Sequence, residues 1–134
     1  MAYRTKTTKS KVKYRDLDFS MFRNPNTKDV SVKTNDEAIK TAVRNLILTN
    51  KYDRLFQPNI NSGVTAKLFE NVTPELAFRL KDDVEDVLRI YEPRIDLIDV
   101  SVGQLVRDEN TLVIVIQYRL TNESDVITQN ITLE

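Results

Sequence analysis

The amino-acid sequence predicts an α+β fold of two layers, in which two main helices pack on a small antiparallel sheet of about three C-terminal strands. Two segments have apolar residues at helical spacing, and three C-terminal segments alternate between apolar and polar residues. Short polar turns between these strands are typical of an antiparallel meander. Residues 1–30 carry eight Lys or Arg and three Asp. We therefore divide the chain into an extended basic N-terminal arm, 1–30, and a single α+β domain, 31–134.

The composition excludes several kinds of site. The 134 residues include no cysteine, no histidine and two glycines. Disulfides, thiolate nucleophiles, zinc fingers, Ser-His-Asp triads and glycine-rich phosphate loops are thereby excluded. No apolar run approaches the roughly 20 residues that span a bilayer, and the basic N-terminus is not followed by the apolar core of a secretory signal. We expect a protein of the cytosol, or one assembled from it, with no membrane partner.

The arm begins with a segment that carries no acidic residue before Asp16. This segment is either a partner- or nucleic-acid-binding arm or a solvated tail, and its composition suits both interpretations. Aromatic residues are too sparse to stack on a single strand, so no nucleic-acid partner is expected. The next apolar residues predict a segment that lies extended against the domain or a neighbour: Leu17, Phe19, Met21 and Phe22.

The first helix is predicted over residues 34–49. Thr34 and Glu37 have the spacing of a capping box. The residues that then recur on one face are apolar and predict its buried side: Ile39, Val43, Leu46 and Ile47. Residues 50–67 follow without a steady period and predict a long loop, which is either functional or an ordered crossing.

The second helix organises the chain. Thr73 is the predicted N-cap, Pro74 takes the first helical position, and Pro93 forces the helix to stop at Glu92. Its apolar face comprises Ala77, Leu80, Val84, Val87, Leu88 and Tyr91.

Three strands are predicted after this helix. The first, residues 95–102, places Ile98, Val100 and Val102 on one face. A polar turn at 107–110 leads to the second, residues 112–120, which opens with five consecutive apolar residues and is predicted to be central and covered on both faces. The third strand runs to the end of the chain and leaves an open edge at which another chain can pair.

Glu92 and Arg94 flank Pro93 at the corner between the second helix and the first strand. Arg94 can offer a bidentate fork to a carboxylate, and Glu92 can accept hydrogen bonds from backbone amides or a partner's arginine. An internal Glu92–Arg94 ion pair that locks the helix to the strand is equally compatible with the sequence. This corner is the first candidate for a functional site.

Carboxylates are the main remaining candidates for catalysis. A peptidoglycan hydrolase acting through a carboxylate pair is the alternative function, with candidates Glu70, Glu92, Asp96 and Asp99. Tryptophan is absent, and the other aromatic residues mostly fit apolar faces, so no sugar-binding platform accompanies them. The acidic cluster of the second helix fans around the axis like a solvated face: Asp82, Asp83, Glu85 and Asp86. We predict no catalytic residue, no metal site and no cofactor.

Several segments together resemble a known family. Residues 68–74 read Leu-Phe-Glu-Asn-Val-Thr-Pro and residues 91–95 read Tyr-Glu-Pro-Arg-Ile. With residues 16–19, 24–25, 29–30 and 44–49, they resemble the baseplate wedge protein family of contractile-tailed phages. That family is shared with type VI secretion baseplates and is sometimes labelled lysozyme-like. The resemblance covers the chain from about Tyr14 onward; Arg54 and Pro58 match the family's loop, whereas its glycines are missing or displaced.

The resemblance implies a structural, non-enzymatic role in the tail baseplate of a virion, with assembly in the host cytoplasm. The family's Glu-Pro-Arg element docks on the wedge core, so Glu92, Pro93 and Arg94 are implied to bind the wedge core proteins. The family is also the platform for the first ring of tail sheath, whose subunits exchange strands. The resemblance therefore implies other baseplate or tail tube proteins as further partners, and strand addition by the tail sheath protein at Ile127, Gln129, Ile131 and Leu133.

Overall fold

The computed structural model describes residues 13–67, 70, 73–105, 108–121 and 123–133. Its elements are β1 (Arg15–Leu17), β2 (Val32–Thr34), α1 (Asp36–Leu48), a 3₁₀ turn (Thr65–Lys67), α2 (Pro74–Tyr91), β3 (Ile95–Leu105), β4 (Asp108–Leu120) and β5 (Val126–Leu133). The described residues divide after Ile39 into two compact units. The predicted α+β class is confirmed. The division at residue 30 stays a prediction, and residues 1–12 of the arm lie outside the described residues.

In the first unit the chain folds back on itself. β1 pairs with β2 in antiparallel register, with Asp16 opposite Lys33. The side chain of Asn35 fastens this hairpin, because its Oδ1 accepts hydrogen bonds from the N–H groups of Lys13 at 2.9 Å and Tyr14 at 3.3 Å. The hairpin was not predicted, because strands of three residues are too short to produce a measurable alternation of apolar and polar residues.

Both predicted helices are present. α1 begins at Asp36, two residues after the predicted cap, because Thr34 is the last residue of β2 and Asn35 has a φ of 50°. α2 begins as predicted: the Oγ1 of Thr73 accepts a hydrogen bond from the N–H of Leu76 at 3.2 Å. The buried face of α2 consists of Leu76, Leu80, Val84, Val87 and Leu88.

β3, β4 and β5 form an antiparallel sheet in that order, as predicted. Leu120 of β4 lies opposite Ile95 of β3, and Ile114 lies opposite Ile131 of β5. α2 and α1 cover one face of this sheet, and the side-chain amide of Gln129 in β5 donates to the carbonyl of Lys40 in α1 at 3.0 Å. The sheet's buried side chains are Ile95, Val100, Leu112, Ile114, Ile116, Tyr118, Leu120, Ile131 and Leu133.

Two predictions about the sheet were wrong. Leu97 lies opposite Tyr118 and Asp99 opposite Gln117, so Ile98 is the extra residue of a β-bulge and is 50% exposed instead of buried. Val113 and Val115 are only half-buried, so the outer face of β4 is not fully covered. The central strand also starts earlier than predicted, because residues 108–110 of the expected polar turn belong to β4; residues 106–107 lie outside the described part.

An exposed ion pair joins α2 to β3. The Nζ of Lys81 lies 2.9 Å from the Oδ1 of Asp99. The hydrogen bond from Lys81 lowers the pKa of the Asp99 carboxyl, and the same bond raises the pKa of the Lys81 ammonium. Within the described residues no helix is long and apolar enough to cross a membrane.

We predict that Asp99→Asn lowers the melting temperature slightly at about pH 7 and has no such effect at about pH 2. The folded pKa of Asp99 is lowered, so its stabilisation is complete above the unfolded carboxyl pKa of about 3.9 and disappears as the pH falls through the folded value. Thermal unfolding at both pH values measures this difference. Asp125→Asn, in an exposed turn, is the control. An Asp99→Asn effect that persists unchanged in acid would contradict the prediction.

Candidate functional site

The corner between α2 and β3 is fixed from both sides. The N–H of Glu92 donates to the carbonyl of Leu88 at 3.0 Å and closes the last turn of α2, while Pro93 has no N–H with which to continue the helix. Directly after β4, the N–H of Thr121 donates to the carbonyl of Arg94 at 3.1 Å. Glu92, Pro93 and Arg94 therefore have little freedom to change the angle between α2 and β3.

Glu92 and Arg94 form a bidentate ion pair around this proline. The Nε and Nη2 of Arg94 donate to the two carboxylate oxygens of Glu92 at 2.5 and 2.6 Å. The side chain of Glu92 is 4% exposed and that of Arg94 is 33% exposed. Of the two arrangements compatible with the sequence, the structure therefore contains the internal pair. Both carboxylate oxygens of Glu92 are used within the chain, whereas Arg94 is partly exposed and Pro93 is exposed.

This geometry gives the three residues different tasks. A buried carboxylate with two short charge-assisted bonds holds the guanidinium plane in one orientation. The partly exposed guanidinium of Arg94 is thus a planar group of N–H donors with a fixed orientation. The sequence could not reveal this assignment, because the burial of Glu92 depends on packing between elements.

Two of the carboxylates proposed for hydrolysis lie at opposite ends of α2. Glu70 precedes the N-cap of α2 and Glu92 is its C-cap. The 18 residues of α2 span about 27 Å, whereas glycosidase carboxylates lie about 5 to 9.5 Å apart. Asp96 is paired with Arg119 at 3.4 Å and Asp99 with Lys81. Among the described residues there is also no group of three or more acidic side chains that could hold a metal ion.

Among the described residues β5 is an edge strand of the sheet, and its pairing with β4 determines which of its backbone groups face outward. The bond from the N–H of Thr121 to the carbonyl of Arg94 makes these residues a hydrogen-bonded pair of the β3–β4 ladder. Such pairs alternate along an antiparallel ladder, so Tyr118 directs its backbone groups toward β5 and bonds with Ile127 opposite it. The residues with N–H and C=O groups directed to the edge are therefore Val126, Thr128, Asn130 and Thr132.

The residues predicted for strand addition alternate with those whose backbone groups face the edge. Ile127, Gln129, Ile131 and Leu133 direct their backbone groups to β4 and their side chains to the core face, where Ile131 and Leu133 are buried. Gln129 accepts a hydrogen bond from the hydroxyl of Tyr118 at 3.1 Å. These four residues hold the edge strand in place, and their neighbours direct their backbone groups away from β4.

Comparison with known proteins places these features in a family. The family model described as baseplate wedge protein gp25 matches residues 33–125. The chain belongs to the baseplate wedge protein gp25 family. It is 36% identical over 116 residues to baseplate wedge protein gp25 of Enterobacteria phage T4, and this alignment covers 87% of the chain and 86% of the phage T4 protein. The resemblance found in the sequence motifs is confirmed.

Solved structures share the fold of this gp25-family chain. A chain in the cryo-EM structure of the anti-feeding prophage baseplate matches with a TM-score of 0.71 and 27% identity, over 84% of this chain and 89% of that one. A candidate tail lysozyme from Geobacter sulfurreducens matches with a TM-score of 0.66 and 22% identity, over 73% and 88% respectively. The match to the Geobacter protein shows a shared fold alone. Its name therefore assigns no catalytic residue to this gp25-family chain.

We predict that Arg94→Ala lowers the free energy of unfolding by about 3 kcal/mol, because it leaves the buried Glu92 carboxylate without its partner. The double variant Glu92→Gln/Arg94→Gln leaves no buried charge and should lose about 1 kcal/mol. Urea unfolding of the isolated chain measures both. Equal losses in the two variants would show that the pair does not behave as a buried unit.

Proposed function

We propose that this chain is a non-enzymatic structural subunit of a contractile-tail baseplate wedge. It docks on the wedge core proteins through Glu92, Pro93 and Arg94, and it provides the platform for the tail sheath through the edge of β5. Its place is the tail baseplate of the virion, reached from the host cytoplasm during assembly, and other baseplate or tail tube proteins are further partners. Membership of the gp25 family supports the baseplate assignment.

The observation that carries the proposal is the pre-oriented Arg94 at the corner. Its guanidinium is held by Glu92 and its side chain remains one-third exposed, beside an exposed proline. A rigid donor loses little conformational entropy on binding, so a small corner can contribute strongly to an interface. Arginine is also among the residues that most often dominate binding energy.

A contrast between the two edges of the sheet supports strand addition at β5. The edge strand β3 contains Asp96, Asp99 and the bulge at Ile98, which are features that prevent pairing with other chains. β5 reads Val-Ile-Thr-Gln-Asn-Ile-Thr-Leu and contains no charge, proline or glycine. An uncharged edge of eight residues suits a strand that another chain covers in the assembly.

The separation of the carboxylates supports a role without catalysis. Glu70 and Glu92 lie at opposite ends of α2, and Asp96 and Asp99 are held in separate ion pairs. We infer that the chain is not a cell-wall hydrolase. Peptidoglycan turnover by the purified protein would overturn this inference.

We predict that neutralising the corner abolishes docking while the domain stays folded. Glu92→Gln/Arg94→Gln should bind co-expressed wedge core proteins of the same phage at least about 30-fold more weakly than wild type, the loss typical of a dominant interface residue. The matched control is Asp96→Asn/Arg119→Gln, an ion pair on the outer face of the sheet. Circular dichroism confirms the fold of both variants, and quantitative pull-down measures binding.

Each result of this experiment has a distinct meaning. Capture of the corner variant at wild-type strength would return Glu92 and Arg94 to a purely structural role. Failure of wild type to bind would contradict docking on the wedge core itself.

We predict that Thr128→Pro blocks the start of sheath assembly but leaves binding to the wedge core. Proline at 128 removes an N–H that faces the open edge, and β5 can otherwise accept it because edge strands tolerate proline. Ile127→Pro is the matched control, since it removes an N–H bonded to β4 and should destabilise the domain. Electron microscopy of sheath polymerisation on baseplates measures the effect. A folded Thr128→Pro variant that loses both activities equally would contradict strand addition.

A further inference from the structure

Residues 51–57, here called the loop tip, present two large apolar side chains to solvent. Leu55 is 90% exposed and Phe56 is 96% exposed. The other exposed large apolar side chains in the described part of the chain are at most 72% exposed. Apolar side chains scattered singly over a surface are ordinary, but an adjacent pair with almost no contact to its own domain is not.

The loop tip is held in one conformation by its own turns. The N–H of Asn50 donates to the carboxylate of Asp53 at 2.8 Å, and the N–H of Gln57 donates to the carbonyl of Arg54 at 3.2 Å. Tyr52 has a φ of 72°, in the left-handed region that bulky residues rarely adopt.

The base of the loop is fastened to the core. Ile60 and Val64 are buried, and the hydroxyl of Ser62 donates to the carbonyl of Ile47 at the end of α1. A tip that is organised by its own hydrogen bonds and anchored at its base loses little entropy when it binds. The exposure of Leu55 and Phe56 is therefore a property of the folded domain.

The segment that carries the apolar pair has a net positive charge. Lys51 and Arg54 are exposed on the tip, and the Nζ of Lys51 lies 5.2 Å from the centre of the Tyr52 ring. Asp53 is also exposed on the tip, where its carboxylate accepts a hydrogen bond from the N–H of Asn50, so Lys51 and Arg54 against Asp53 leave the tip with a net charge of +1. A complementary surface would thus combine an apolar pocket with acidic groups at its rim.

We propose that the loop tip is a second docking element, which inserts Leu55 and Phe56 into an apolar pocket with an acidic rim on a neighbouring baseplate protein. The inference rests on the proposed function, which supplies the class of partner. It adds a contact distinct from the corner at Arg94 and from the edge of β5.

The size of the tip favours a pocket on a neighbouring baseplate protein over a second copy of this chain or a membrane. Two side chains bury a few hundred Å² at most, whereas a stable interface buries about 1,200 Å² or more, so the tip cannot by itself hold a second copy of the chain. Even a myristoyl chain binds a bilayer only marginally, so a single tip is a poor membrane anchor. Within an assembly already held at another contact, a small apolar insertion gains from the high effective concentration.

The test compares capture by the co-expressed wedge proteins of the same phage. Leu55→Ser/Phe56→Ser should bind at least about 30-fold more weakly than wild type. Phe78→Ser is the matched control, because Phe78 is 65% exposed on α2 and lies outside the tip. Lys51→Glu/Arg54→Glu should also weaken capture, which tests the acidic rim separately. Thermal unfolding confirms that all variants fold, as expected for substitutions of exposed side chains.

The outcomes separate this inference from the proposed function. Capture of wild type and Leu55→Ser/Phe56→Ser with equal strength would overturn the inference and leave the docking function intact. Equal weakening by Phe78→Ser would also overturn it, since the effect would not be specific to the tip. Failure of wild type to bind would overturn both.

A photo-crosslinking side chain placed at Phe56 identifies the occupant. A crosslink to a segment of a wedge protein that has acidic residues beside apolar ones is the expected result. A crosslink to a second copy of this chain, or flotation of wild type with phosphatidylglycerol vesicles that is lost in Leu55→Ser/Phe56→Ser, would overturn the proposed occupant.

Discussion

The bond between Glu92 and Arg94 fixes the angle at which α2 meets β3, and both layers of the larger unit depend on that angle. α2 supplies five buried side chains, and β3 begins the sheet directly after the corner. Pro93 prevents the helix from continuing. The bidentate ion pair holds Glu92 and Arg94 together, and the hydrogen bond from Thr121 to Arg94 connects the corner to the end of β4. The proposed docking surface is therefore built from an element that the fold already requires to be rigid.

The parts of the fold that the sequence predicted are those decided by local signals. Thr73 and Pro74 begin a helix and Pro93 ends one because capping and the missing N–H act within a few residues. The bulge at Ile98 was not predictable in this way, because a bulge is defined by the residue opposite it and that residue is more than fifteen positions away. The partly exposed Val113 and Val115 show the same limit: an apolar run indicates burial but does not show which face is covered.

The sequence indicated where the candidate site lies, but it did not predict which side chains of the site are buried and which are exposed. The motif singled out Glu92, Pro93 and Arg94, yet only packing reveals that Glu92 is buried and Arg94 partly exposed. The edge strand was also located, whereas the outward direction of Thr128 follows from the hydrogen bond between Thr121 and Arg94. The sequence did not reveal that Leu55 and Phe56 are exposed. Apolar residues within a loop can equally be its buried anchors, as Ile60 is.

The three proposed contacts are each small, which makes their relative positions matter more than their individual strengths. A corner, a strand edge and a loop tip carried by separate elements can bind together only if the frame keeps their spacing constant. Two ion pairs link α2 to β3, one between Lys81 and Asp99 and one between Glu92 and Arg94. The side-chain amide of Gln129 links β5 to α1. A substitution that loosens one of these links would weaken assembly without touching a partner, because the contacts would no longer be reached at the same time.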